Sequence, residues 1–348
     1  MLPAVTLRAV DPNIQNAFAH QWGISIEDQI ARNTALKFEY SGSAGRHLYS
    51  VANINRRGSG VQYLGGNDTS RVCPTGGNAD RLNCQYGNIN FRGSDGESNY
   101  NGLTTSLESN DLFGNGLTMT ARYTYSVAKD DLSSSFSDGQ IANFGLGYLD
   151  PFNPKLDYGY ADYDVRHRFV ASAIYPIAHK FSNSVANNVF GGWNVSGIVT
   201  MYSGAPYTIY DCSNARTVCA RMLGGSPTTF NGNSSLVGPN NYNFLDLSHV
   251  TAIGATDVTG SNETGPWPNN MLGRNAFRGP GFWNVDASLF KNINVTERYR
   301  LQLRIDAFDV FNHANFFVNG TSADVTNGQV NAFYLGNRNV QVSAKISF

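Results

Sequence analysis

Charge is scarce in this chain. Asp, Glu, Lys and Arg make up 15% of its 348 residues, against roughly 25% in ordinary soluble domains. The formal balance is -1 at neutral pH, so no basic field invites nucleic acid and no acidic tail suggests a disordered partner segment. Long apolar runs are missing as well. No stretch approaches the ~18 apolar residues of a membrane helix, and mean hydropathy is -0.30. Helical spans are thereby excluded, but transmembrane strands are not, because they alternate apolar and polar residues and cross in about 9–11. "MLPAVTLRAVDPN" lacks the basic start, apolar core and small-residue cleavage site of a signal peptide, which taken alone points to the cytoplasm. GxSxG, HExxH and Walker patterns are all absent, so neither an enzyme nor a cofactor site is expected.

Cysteine is rare, and its placement is local. Cys73 and Cys84 bracket one polar, Gly-rich stretch, and Cys212 and Cys219 bracket "CSNARTVC". Pairs placed this way suit disulfides in an oxidising compartment; four unrelated thiols are the other reading. Nothing has CxxC spacing, and His313 of "NHANF" has no second histidine at ligand distance, so no metal site is expected.

What the chain does have is aromatic and glycine content, with 18 Tyr, 21 Phe and 36 Gly, and a recurring period of two. In "GLTMTARYTYSVAKD", Leu117, Met119, Ala121, Tyr123, Tyr125 and Val127 share one face, and Thr118, Thr120, Arg122, Thr124 and Ser126 share the other. "YRLQLRIDAFDVF" repeats the pattern, with Leu301, Leu303 and Ile305 opposite Arg300, Arg304 and Asp306. "FWNVDASLF" does so again. Weaker versions lie at 22–26, 36–40, 103–108, 169–175 and 193–202, and the chain closes on "QVSAKISF". Such alternation marks half-buried strands, and about nine are expected. The connections between them run short, long, short, long, medium, long, short, long. In an up-and-down sheet, alternate connections emerge at the same end, so every long one projects from one side. Short turns on one side and long loops on the other are the asymmetry of an outer-membrane barrel. The apolar, aromatic face would then meet lipid, and Arg122, Arg300, Arg304 and Asp306 would line a wet lumen.

Stretches spread in order over nearly the whole chain resemble the C-terminal barrel of TonB-dependent receptors, nearest the Oar-like group, whose members carry a carboxypeptidase-regulatory-like N-terminal domain. Among them are "FEYSGSAGRHLYSVANINR", "DYDVRHRFVASAIYPI", "GGWNVSGIVTMYSGAPYTI" and "LGRNAFRGPGFWNVDASLFKNINVTERYRLQLRIDAFDVFNHANF". The resemblance implies a barrel of about 22 strands around a plug, of which this chain supplies the last nine, with plug and signal peptide missing. It implies that the terminal Phe348, with Ile346 and Ala344 on its face, is the signal read by the barrel-assembly machinery. It also implies an outer-membrane location, lipid contact, energy through TonB acting on the plug, and import of an unidentified extracellular ligand. A non-transporting surface protein for adhesion or glycan binding is the alternative.

Two stretches invite a site. "DVRHRF" gathers Asp164, Arg166, His167 and Arg168, and reads as the polar mouth of a barrel strand. "YGNINFRGSDGESNY" and "MYSGAPYTIYDC" hold Tyr86, Phe91, Tyr100, Tyr202 and Tyr207 among Asn, Gly and Ser. That is the composition of adaptable binding loops, and these aromatics are the candidates for ligand contact.

Overall fold

Thr, Val, Tyr and Ile at alternate positions favour a pleated, half-covered backbone, and the computed structural model of the chain is built almost wholly from strands. It describes residues 5–55, 83, 85–112, 114–133, 148, 152–177, 182–211, 272–318 and 331–348, with short pieces at 220–221, 224–225, 228–229, 236–238, 241–243, 245–246, 250–251 and 322–324. Nine strands form the wall. They are β1 Phe18–Ala31, β2 Thr34–Asn53, β3 Tyr86–Leu112, β4 Leu117–Asp130, β5 His167–Pro176, β6 Trp193–Tyr202, β7 Phe282–Asn294, β8 Arg300–Phe308 and β9 Asn339–Ser347. Each pairs antiparallel with the next, in chain order, from β1 at one edge to β9 at the other. Among the described residues those two edges do not pair with each other. Nine alternating segments become nine neighbouring strands, as the periodicity requires.

The registers show how cleanly the faces separate. One row across seven strands runs Ile26, Phe38, Thr105, Tyr123, Phe169, Met201, Trp283. The adjacent row, one residue away on each strand, runs Glu27, Lys37, Ser106, Arg122, Val170, Thr200, Asn284. A shift of one residue would exchange these faces everywhere, so the pattern pins the register. Ile174 and Ile198 depart from it: they share the polar face with Thr118 and Asp286. So does Lys291, which alternation places on the apolar face beside Trp193 and Leu303. Its amine escapes by donating to the Gly191 carbonyl at 2.6 Å.

Connections follow the sorting by length. β1 turns into β2 through Arg32 and Asn33, the latter at φ 58°. β3 turns into β4 through Gly114 and Gly116 at φ 71° and 82°, and the Gly116 amide is held by Asp111 Oδ1 at 2.7 Å. The medium connection carries the short helix α1, Ser184–Phe190, whose start is capped by Asn183 Oδ1 accepting from Val185 N at 2.8 Å. These ends, together with the β7–β8 turn and Phe348, occupy one side of the wall. The four long connections start and end on the other.

The strands outrun the sequence expectation on that second side. The connection expected from Gly45 to Ser98 is strand at both of its ends, because β2 and β3 stay paired up to Asn53 and Asn90, through register shifts near Leu48. Val5–Val10 adds a parallel strand alongside β3. Alternation fades there, as "GNINFRGSDGES" shows, because a ladder wetted on both faces needs no apolar side. With a rise of about 3.3 Å per residue, the 27 residues of β3 extend well beyond the ~25 Å apolar band of a membrane barrel.

Candidate ligand-entry rim

The described ends of several long connections fold onto the strand ends and build a rim. Its centre is Arg274, almost fully buried. The guanidinium donates to the Asp130 carboxylate at the end of β4 and to the Asp130 carbonyl at 2.6 Å. It also reaches the Asp157 carbonyl at 2.9 Å, Asp162 Oδ1 at 3.3 Å and Ser133 Oγ at 3.1 Å. Asn275, in a left-handed conformation at φ 56°, donates through Nδ2 to the Tyr160 carbonyl and to Asp162, both at 2.7 Å. Its amide donates to Thr208 Oγ1 at 2.8 Å. Arg278 completes the set by pairing with Asp164, whose other oxygen accepts the Ala128 amide at 2.5 Å. Arg274, Asp130 and Asp164 each have both an ionic partner and hydrogen bonds, the condition under which ions tolerate burial.

Around this knot lies a cationic and aromatic surface. The Tyr160 ring carries Arg166 at 4.7 Å, Lys129 at 5.2 Å and Arg278 at 5.3 Å. Arg166 reaches Asp164 at only 3.6 Å, and its Nε and Nη2 have no hydrogen-bond acceptor, so the ring face is its main neighbour. Tyr163, Phe152 and Tyr49 are exposed nearby in the chain's rim segments. Asp131 is buried just past β4. Its Oδ1 accepts the Glu97 amide at 3.0 Å and its Oδ2 accepts the Tyr148 hydroxyl at 3.4 Å. Burial pushes its carboxyl up to about 6, helped by the charges of Glu97 and Asp130 and opposed by the backbone hydrogen bond. Burial and Asp131 also push the Tyr148 phenol well up.

Below the rim, the polar face carries its own charges. Arg122 meets Glu108 at 3.1 Å, Arg304 meets Asp306 at 2.6 Å, and Arg300 Nε donates to Asn294 at 3.2 Å. A hollow of about 440 Å³ opens there between Glu27, Lys37, Glu39, Glu108, Arg122 and Thr124. Among the described residues no group of metal-ligating side chains gathers.

The aromatic candidates for ligand contact are dispersed. Tyr86, Phe91 and Tyr100 belong to β3, not to a loop, because the ladder with β2 extends beyond the alternating part. Tyr202 ends β6 and stacks on Phe282 at 4.6 Å. Tyr207 is buried to 1% exposure against Phe277, because the strand Pro206–Asp211 pairs with Phe277–Arg278. Ile346 and Ala344 lie on the outermost strand, opposite Leu301 and Leu303, and Phe348 follows the strand's end. Cys73, Cys84, Cys212 and Cys219 lie outside the described residues. Within "DVRHRF" the chain divides: Asp164 and Arg166 join the rim, and His167 opens β5 on the apolar face beside Tyr123. Sequence reasoning missed Arg274, Asn275 and Arg278. The available signal was "GRNAFRGPG", two arginines four apart in a Gly-rich segment leading into a strand.

A nine-stranded antiparallel wall with sorted connections and an apolar outer face now has a counterpart. A family model described as an outer membrane beta barrel domain matches residues 1–341. The chain belongs to that family. It is therefore an outer-membrane protein whose apolar face meets lipid. No curated protein matches it. Among solved structures it is similar to the outer membrane transporter YddB from Escherichia coli, at 10% identity and TM-score 0.47, over 99% of this chain and 34% of that one. It is also similar to BauA, the ferric preacinetobactin receptor from Acinetobacter baumannii, at 11% identity and TM-score 0.45, over 95% and 29%. The ferripyoverdine receptor of Pseudomonas aeruginosa aligns at 11% identity and TM-score 0.43, over 94% and 27%. The chain spans about a third of the length of these structures.

Proposed function

We propose that this outer membrane barrel is the C-terminal part of a TonB-dependent receptor, importing an extracellular ligand through a lumen that a plug domain closes. The observation that carries the reading is the rim. Long connections begin and end on one side only, and the described segments beside the strand ends are tied together by Arg274 and Arg278 above a polar wall. A barrel that merely sat in the membrane would need no such ordered mouth. The two unpaired edges, β1 and β9, support the reading that further strands complete the wall, because a strand edge in lipid leaves backbone groups unsatisfied. Phe348, just past the last strand at the short-turn side, serves as the assembly signal in this reading. Arg122, Arg300, Arg304 and Asp306 line the lumen. The exposed rim aromatics and the cation-flanked Tyr160 receive the ligand, and the plug couples the barrel to TonB.

Cell fractionation of the intact protein tests this, together with reading the locus upstream for an in-frame plug. Recovery from the outer membrane as one polypeptide with a plug, in cells whose growth on the imported nutrient is lost equally on deleting the locus or TonB, is the expected result. A soluble folded monomer would sink the membrane reading. An outer-membrane protein without a plug would instead favour adhesion or glycan binding, to which the same rim is suited.

A further inference from the structure

The apolar face is not evenly covered. Tyr123, Phe169, Met201 and Trp283 form one continuous row across β4 to β7. One step nearer the rim the row loses its bulk. Tyr125 faces His167, His167 exchanges backbone and side-chain hydrogen bonds with Ser203 at 2.9 and 3.1 Å, and Gly281 stands beside them. Ser203 and Gly281 are too small to continue the belt, and a side chain at 281 would crowd the Tyr202 carbonyl at 3.1 Å. The result is a hollow of about 610 Å³ whose lining is nearly all apolar.

Both flanks of the hollow are held in place. On one side the Tyr123 hydroxyl engages His167 Nδ1 at 2.8 Å, which fixes the imidazole plane. On the other, His313 stacks on Trp283 at 4.1 Å, with Phe311 tilted against the same indole at 5.8 Å. The Trp283 backbone is clasped in turn by Asn315, whose Oδ1 accepts its amide and whose Nδ2 donates to its carbonyl, each at 2.9 Å. With Nδ1 occupied by Tyr123, His167 presents Nε2 at the rim end of the hollow. Among the described residues Nε2 has no hydrogen-bond partner.

We propose that this hollow is a specific lipid site, taking one acyl chain of a membrane lipid, with its phosphate headgroup accepting a hydrogen bond from His167. The occupant follows from where the hollow opens. It lies open on the face that meets lipid, so the neighbours that fill it are lipid chains rather than water. An acyl chain is unbranched and flexible enough to fill an irregular apolar hollow, and its phosphate lies at the interface level where aromatic belts sit. The inference rests on the outer-membrane location and is independent of the transport reading.

The test uses the intact protein, purified from outer membranes and reconstituted in vesicles of phosphatidylethanolamine and phosphatidylglycerol with acyl-brominated phosphatidylglycerol. Two readouts are combined: lipid retained through detergent exchange, by native mass spectrometry, and the bromine quenching that disappears in Trp283→Phe. One retained phosphatidylglycerol per protein and strong Trp283 quenching are expected. Ser203→Leu fills the hollow and should lower retention on the order of tenfold, the equivalent of about two buried methylenes. His167→Gln, which leaves the hollow open, should weaken the preference for phosphatidylglycerol while Trp283 stays quenched. Heat-modifiable migration on gels reports whether each variant is folded; if Ser203→Leu does not fold, His167→Gln decides. No retained lipid, or retention that neither variant changes, means an ordinary lipid annulus and overturns the proposal. Transport would be unaffected by either outcome.

Discussion

The wall and the rim are solvated in opposite ways. On the wall, Ile24, Ile26, Val342 and Ile346 are each about two-thirds exposed or more. In water such an apolar face would seek a partner; in lipid it is the surface. The few buried apolar residues, Ala128, Tyr148, Ala161 and Tyr207 among them, lie at the rim end, in company with Asp130, Asp131, Asp157, Asp164 and Arg274. The rim is thus organised as a water-soluble protein is, around an interior. The wall has no interior, only ladders and two faces. What differs is the local solvent, and it dictates which residues each region can use. In lipid, backbone hydrogen bonds must be complete and charges kept to one face; in water, side chains must supply the cohesion.

Five substitutions separate the two regimes. Arg274→Ala should have the largest effect, because it strands Asp130 and Asp162 without their cation, at a cost of about 3–5 kcal/mol. The loss should be confined to the rim. Hydrogen exchange at Asp131 and Ala161 should accelerate strongly, with the β5–β8 ladders still protected. If the wall melts together with the rim, the two are one cooperative unit and the contrast drawn above fails.

Val199→Arg and Thr200→Arg are neighbours on opposite faces of β6. The first should cost ~2–4 kcal/mol in refolding into phosphatidylcholine vesicles, and the second close to nothing. Equal costs would mean that the faces are misassigned.

Asp131 sharpens the rim side. A carboxyl that titrates near 3.9 when unfolded and near 6 when folded binds more protons in the folded state between those values. Its contribution to rim stability is therefore greatest below about pH 4 and falls as pH rises to about 6, by ~2–3 kcal/mol. Asp131→Asn should flatten the pH dependence of exchange at the Glu97 amide and protect it more at neutral pH. An unchanged profile would mean that burial does not govern this group. The smallest effect is expected at Arg122→Gln, which removes an exposed pair with Glu108 on the wetted face of the wall; the change should stay under about 1 kcal/mol and shrink further in high salt.

Wall and rim differ, too, in how far their residues announce them. All nine wall strands are legible in the amino-acid pattern, since each carries its own alternation and each register is pinned by keeping Glu27, Lys37, Arg122 or Asp306 on the polar face. The rim is barely legible. "DVRHRF" draws attention for its charges, yet its partner Arg278 lies more than a hundred residues away, and no periodicity links them. Tyr207 reads as a ligand contact because Tyr in a Gly- and Pro-rich stretch suits binding surfaces; burial beneath the rim depends on which connection folds over it. Composition alone does not show the hollow between His167 and Trp283 either, for Ser203 and Gly281 are unremarkable residues until registration aligns them.

Sequence by itself determined the strands, their order, the two faces and the end of the sheet that carries the long connections. All four follow from local patterns of period two and from the parity of successive turns. Tertiary structure alone decided where the long connections come to rest, which acids meet Arg274 and Arg278, how far β2 and β3 continue past the alternating band, and where the aromatic face opens. Those outcomes depend on pairings between distant segments in water, where no repeating pattern is needed to satisfy the backbone, and so none is written into the chain.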